Sequence, residues 1–125
     1  SFHPGMDFTA AVGTEIYATA NGTVALIKTE PWGYGNHIVI NHGNGYTTLY
    51  GHLSRAIVRP GQKIKRGQLI AYVGNTGRST GSHLHYEVRK FNNPLIPAFF
   101  YRNDLTDEQY QRMIELSQRE ATRFD

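Results

Sequence analysis

The sequence contains no cysteine, which removes any disulfide framework and every thiolate metal site. A metal bound by this chain would therefore need histidine and carboxylate ligands. The absence leaves the redox compartment open, since a cysteine-free chain suits reducing and oxidising surroundings alike. Long apolar runs are missing too. No stretch approaches the roughly 20 residues of a membrane span, and the opening "SFHPGMDF" lacks the basic-then-apolar order of a signal peptide. Helix signals are absent before residue 100. Charged residues make up 18% and hydrophobic ones 39%, which fits a folded soluble chain and not a disordered one. At 125 residues one core of useful size can be buried without staples. The first residues already look like part of a site, so the chain reads as a processed product or as a domain of something longer.

What is abundant is glycine, with 13 copies punctuating short β-branched and aromatic runs, the mark of many short strands and tight turns. "EIYATANGTVALIKTE" predicts two strands joined at Asn21-Gly22, and "GNHIVINHGNGYTTLYGHL" two more joined at Asn44-Gly45, both strong hairpin signals. Further turns are expected at Pro60-Gly61 and Arg66-Gly67, then a strand over Leu69–Val73 and a last one in "HLHYEVRKF". The tail differs. In "LTDEQYQRMIELSQREATRF", Thr106 and Gln109 form a capping box, and Tyr110, Met113, Ile114, Ser117, Ala121 and Phe124 fall on one helical stripe. The predicted fold is mostly β: an antiparallel β-barrel or sandwich hybrid of the duplicated hybrid motif type over residues 1–101, with one C-terminal α-helix in residues 102–125 packed on it.

Charge is uneven. Residues 1–100 hold nine Lys or Arg against four Asp or Glu, and residues 101–125 hold four against six. A basic body favours anionic partners in general.

The six histidines matter through their positions. In "GSHLHYEV", His83 and His85 lie two apart in a predicted strand, so both point to one side. "HPGMD" sets His3 and Asp7 four apart, with Pro4 and Gly5 opposing a helix between them. Joined by a histidine of the final strand, they would offer two nitrogens and one oxygen, the three-protein-ligand set of a catalytic zinc with solvent at its fourth position. Such a site lowers the pKa of its water toward about 7 and polarises a carbonyl, as amide hydrolysis requires. Neither spacing is specific alone; the combination points to a zinc hydrolase. His37 and His42, five apart in "NHIVINH", fall on opposite faces of a regular strand and read as structural, with His42 a candidate to support a ligand. Asn36 and Tyr50 are candidates to line a groove, but they read first as a polar turn residue and a core aromatic. "GNTGRSTGSH" at residues 74–83 is a Gly/Ser/Thr loop leading into the histidine pair, where loops commonly hold substrate.

The blocks "HPGMDFTAAVGTEIYATANGTVALI", "GYGNHIVINHGNGYTTLYGHLS" and "VRPGQKIKRGQLIAYVGNTGRSTGSHLHYEVR" together resemble the lysostaphin-type (LytM-type) zinc endopeptidases that cut peptide cross-links in bacterial peptidoglycan. The likeness is collinear from about residue 3 to about residue 100. It implies that His3, Asp7 and His85 bind Zn²⁺, that His83 stays off the metal, and that His52, in the family's Gly/Ala-His-Leu segment, joins His83 in flanking the water and the scissile carbonyl as general base and oxyanion stabiliser. It implies peptidoglycan stem or cross-bridge peptides as partners and a location in the bacterial envelope or outside the cell, for a monomer without a membrane span in this chain. Two departures stand out: relatives usually carry an arginine-containing strand ahead of the first motif, and the helical tail exceeds the common core.

Three other readings compete. A degenerate relative that binds peptidoglycan or activates an amidase would have lost ligands that are present here. "VRPGQKIKRGQLIAYVG" looks like the half-motif of biotinyl- and lipoyl-carrier domains, yet no modified-lysine tip is evident. A nucleic-acid-binding barrel could use Lys63, Lys65, Arg66 and Arg78 with tyrosines as platforms, but it leaves the histidines unexplained; no nucleic-acid partner is expected.

Overall fold

A computed structural model of the chain describes residues 5–77 and 81–94. Nine strands are present among them: β1 (Met6–Thr9), β2 (Glu15–Tyr17), β3 (Gly22–Glu30), β4 (Gly35–Gly43), β5 (Tyr46–Ala56), β6 (Lys63–Ile64), β7 (Leu69–Val73), β8 (His83–Lys90) and β9 (Asn93–Pro94). No helix occurs among the described residues. The helix expected in residues 102–125 lies outside them, and so does the boundary at residue 101.

Every pairing is antiparallel, and all nine strands belong to one sheet with the order β1-β8-β5-β4-β3-β6. A branch leaves this path at β5, which also pairs β7, and β7 in turn pairs β2. Strand β5 is the centre because it serves three neighbours. Its first half runs beside β8, from Tyr46↔Lys90 to Gly51↔His85. Its second half turns to β7, beginning at Leu53↔Val73.

The turn chemistry foreseen from glycine holds at several points. Asn44 and Gly45 connect β4 and β5 with φ of 53° and 83°, the two positive values a tight primed hairpin demands. Turns also occur at Pro60-Gly61 and Arg66-Gly67, and β7 spans Leu69–Val73 as expected. The hairpin expected at Asn21-Gly22 does not form. β2 pairs β7 through Ile16↔Ala71, while β3 pairs β4 and β6. Asn21 acts as a tie instead: its Oδ1 accepts the Arg66 amide at 2.8 Å and its carbonyl oxygen lies 2.6 Å from His42 Nδ1. Gly22 is needed for space, because a Cβ there would stand 2.8 Å from Ile40 Cγ2.

The core gathers Phe8, Ile16, Ile38, Ile40, Leu53, Ile70 and Leu84 from six strands, all essentially without exposure. Removing such side chains from water supplies about 1.5 to 3 kcal/mol each. A chain of hydroxyls runs through the same interior. Tyr50 Oη accepts the Thr19 amide at 3.2 Å and meets Thr19 Oγ1 and Thr48 Oγ1, each at 3.1 Å. Thr19 Oγ1 continues to Tyr86 Oη at 2.9 Å, and Thr48 Oγ1 to His42 Nε2 at 2.7 Å. Buried polar groups persist only when satisfied in this way.

Tyr50→Phe therefore strands buried partners without opening a large hole. Urea unfolding should show a loss of about 1 to 3 kcal/mol with an unchanged denaturant slope.

Candidate metal centre

The site begins with a register. Strands β1 and β8 pair so that Asp7 faces His85 and Thr9 faces His83. Residues directly opposite on antiparallel strands have Cβ atoms about 4.5 to 5.5 Å apart, and diagonal neighbours lie within reach of long side chains. Asp7 thus meets both histidines: its Oδ1 is 2.7 Å from His85 Nδ1 and 3.4 Å from His83 Nε2. Strand alternation sends Leu84 and Tyr86 the other way, into the core.

Asp7 and His85 shift each other. Burial alone would raise the Asp7 pKa, but the His85 hydrogen bond and the nearby imidazoles hold it below the ordinary carboxylate value. Burial would lower His85; hydrogen bonds from the ring to Asp7 and Glu87 outweigh it and push its pKa up to about 9. His85 itself is buried, whereas the Asp7 side chain keeps 45% of its surface exposed. The pair is open to solvent on the carboxylate side.

His52 arrives from β5, at the point where that strand changes partner from β8 to β7. The change requires a φ of 59°, a left-handed conformation that costs a residue with a Cβ about 1 to 2 kcal/mol. Two backbone hydrogen bonds hold it: the His52 amide to the Tyr34 carbonyl at 2.7 Å, and the Gly74 amide to the His52 carbonyl at 3.0 Å. The consequence is a ring turned out of the strand alternation to stand beside His83, with centroids 4.7 Å apart, and 6.0 Å from that of His85. Backbone carbonyls set both tautomers. His52 Nδ1 donates to Thr76 O and His83 Nδ1 to Gly81 O, each at 2.7 Å. Burial keeps the pKa of His52 below that of a free imidazole.

Four of the five residues singled out from the sequence, Asp7, His52, His83 and His85, come together. His3, the fifth, lies outside the described residues, as do residues 78–80 of the Gly/Ser/Thr loop. His37 and His42 do fall on opposite faces. His37 packs beside Tyr34, with centroids 5.3 Å apart, and its Nδ1 meets Gly35 O. His42 continues the inward row of Ile38 and Ile40, its Nδ1 tied to the Asn21 carbonyl and its Nε2 to Thr48 Oγ1. Tyr50 is a core aromatic. Asn36 lies in β4 and bridges Thr29 Oγ1 and the Leu53 carbonyl.

Three residues not expected from the sequence, Tyr34, Glu87 and Arg89, complete the site. Glu87 is 1% exposed and accepts from His85 Nε2 at 2.8 Å, from Tyr34 Oη at 2.6 Å and from Arg89 Nε at 2.7 Å. Period-two counting offered a signal for two of them. Positions 83, 85, 87 and 89 are His, His, Glu and Arg, an unbroken polar row on a strand whose other face is Leu84, Tyr86 and Val88.

Among the described residues no three His, Asp or Glu side chains are arranged to hold a metal ion. Asp7 and His85 supply two donors of the hard-oxygen and imidazole types that zinc accepts. The accessible carboxylate, and a carboxylate on the far nitrogen of the histidine, fit a cation well.

The chain belongs to peptidase family M23, whose pattern matches residues 1–97. It is 50% identical over 93 residues to peptidoglycan DD-endopeptidase ShyA of Vibrio cholerae, covering 74% of this chain and 21% of that protein. It is 45% identical over 96 residues to the DD-carboxypeptidase/endopeptidase Mpg of Neisseria meningitidis, covering 77% and 22%. The chain spans about a fifth of the length of the curated relatives it matches. Among solved structures, the catalytic domain of the antimicrobial peptidase lysostaphin from Staphylococcus simulans superposes with a TM-score of 0.71 at 32% identity, covering 79% of this chain and 78% of that one. A zinc-containing peptidase from Vibrio cholerae also reaches 0.71, at 45% identity over 73% of this chain and 28% of its own.

The His52 backbone separates function from stability. His52→Gly should be more stable than His52→Ala by about 1 to 2 kcal/mol, read from the two denaturation midpoints, although each variant lacks the imidazole.

Proposed function

We propose that this chain is a zinc-dependent endopeptidase domain that hydrolyses amide bonds in the peptides of peptidoglycan. The observation that carries the reading is the Asp7–His85 contact at 2.7 Å, flanked by His83 and His52, in a member of peptidase family M23. Peptidoglycan as substrate is supported by the names of the relatives.

Asp7 and His85 would hold the zinc, with His3 as the third ligand. Zinc bound there supplies Lewis acidity, polarising the scissile carbonyl and making water acidic enough to attack near neutral pH. Everything else falls to the chain. His52 and His83 each commit Nδ1 to a backbone carbonyl, so Nε2 is the atom through which each ring takes up or donates a proton. Their neighbouring rings form a two-histidine wall on one side of Asp7. One ring would receive the proton of the attacking water and return it to the leaving amine; the other would donate to the developing oxyanion. His83 stays off the metal in this division, its Nε2 left for proton transfer.

Residues 1–101 would form the catalytic β-domain, a barrel or sandwich hybrid, and residues 102–125 a helical extension packed on it. The branched sheet, in which β5 is shared between β8 and β7, supports a sheet that curls over its core. The domain would act as a monomer in the bacterial envelope or outside the cell, where the polymer lies. A non-catalytic wall-binding role is not favoured, since such a role needs neither the aspartate–histidine pair nor two further imidazoles around it.

Metal analysis of the purified chain combined with digestion of purified peptidoglycan tests the proposal. Wild type should carry one zinc and cleave, and a chelator should abolish cleavage until zinc is restored. His85→Ala should lose metal and cleavage together. His83→Ala should keep zinc while cleavage falls at least about 100-fold; full turnover in that variant would refute the division of roles.

A further inference from the structure

Four hydrogen-bond donors converge on one buried carboxylate behind the metal ligands. Glu87 Oε2 accepts from Tyr34 Oη at 2.6 Å and from His85 Nε2 at 2.8 Å. Its Oε1 accepts from Arg89 Nε at 2.7 Å and Nη2 at 2.6 Å. A carboxylate at 1% exposure would be costly to bury without such partners. The backbone ahead of β1 closes over the contact with His85. A Cβ on Gly5 would stand 2.6 Å from Glu87 Cγ and 2.9 Å from His85 Nε2, so glycine there lets the chain press down on the hydrogen bond. Tyr34 adds a second restraint on the ring, with its centroid 5.6 Å from that of His85.

The geometry points to Glu87 as a positioning residue: it takes the Nε2–H of His85, leaving Nδ1 as the nitrogen presented beside Asp7, and Tyr34 and Arg89 fix the carboxylate in that attitude. An imidazole has two nitrogens and must offer the right one, and a hydrogen-bond acceptor on the other nitrogen decides which. The arrangement also ties the segment between β3 and β4 to the metal ligand, because Tyr34 both donates to Glu87 and offers its carbonyl to the His52 amide. Metal affinity thereby depends on the Tyr34 side chain, and the placement of His52 on the backbone of the same residue. This inference rests on the zinc reading given above.

The test is zinc affinity, measured by competition with a chelating indicator, together with ¹⁵N NMR of the histidine rings, in wild type, Glu87→Ala, Glu87→Gln and Tyr34→Phe. Zinc-loaded wild type should carry its His85 proton on Nε2. Glu87→Ala should bind zinc about 10- to 100-fold more weakly and lose the preference for that tautomer. Glu87→Gln keeps one acceptor oxygen for His85 Nε2–H but sets its NH2 against Arg89, so it should recover the tautomer and part of the affinity, a rescue that a purely structural tie between strands would not predict for the ring proton. Should Glu87→Ala fail to fold, Tyr34→Phe leaves the Arg89 pair in place and should still weaken zinc binding several-fold. Wild-type affinity in folded Glu87→Ala and in Tyr34→Phe, or a proton on Nδ1 in the zinc-loaded chain, would overturn the inference. A wild-type chain that takes up no zinc would overturn the metal reading itself, an outcome recognisable before any variant is made.

Discussion

The side-by-side register of Asp7 and His85 on β1 and β8 is the constraint from which the site follows. Antiparallel pairing places opposite Cβ atoms about 5 Å apart, close enough for a carboxylate and an imidazole to share one small cation or one proton. Because side chains alternate, the same pairing also sends His83 to the site and Leu84 and Tyr86 to the core. A slip of one residue would exchange the two sets, burying three charged or polar groups and exposing the apolar ones. The hydrophobic core and the site therefore specify the same register, and neither can be changed without the other.

Around this pair, the alternation of β8 also places His83, Glu87 and Arg89, whereas His52 is placed by a backbone device. His52 reaches the site through a left-handed residue at the place where β5 exchanges β8 for β7. The residue accepts an unfavourable conformation because amide and carbonyl are both held by neighbouring segments. Strain of this kind gathers where geometry matters more than stability. Beneath the pair, the buried Glu87 with Tyr34 and Arg89 gives the exposed part of the site a rigid base. Water can reach Asp7, but the far side of His85 is closed.

Much of this was legible in the residues alone. Period-two spacing put His83 and His85 on one face, and Asn44-Gly45 announced a hairpin that forms with the expected pair of positive φ values. The mostly β architecture followed from glycine spacing and β-branched runs. Other features depend on contacts between segments far apart in sequence. Asn21-Gly22 carries the same dipeptide signal as Asn44-Gly45, yet Asn21 bonds the Arg66 amide and Gly22 makes room for Ile40. Local propensity yields there to tertiary packing. Glu87 and Arg89 were visible as a polar row, but their meaning depends on Tyr34, more than fifty residues away. The left-handed turn at His52 was not legible, since histidine is enriched at positive φ among non-glycine residues but most histidines do not adopt it.

The central claim is that residues from opposite ends of the β-domain close on one zinc ion with two imidazole nitrogens and an aspartate oxygen. Zinc K-edge X-ray absorption of the loaded chain tests it most directly. The account predicts a four-coordinate shell of nitrogen and oxygen at about 2.0 to 2.1 Å, with the outer-shell scattering of two imidazoles. A six-coordinate, all-oxygen shell, or one with no imidazole scattering, would contradict it.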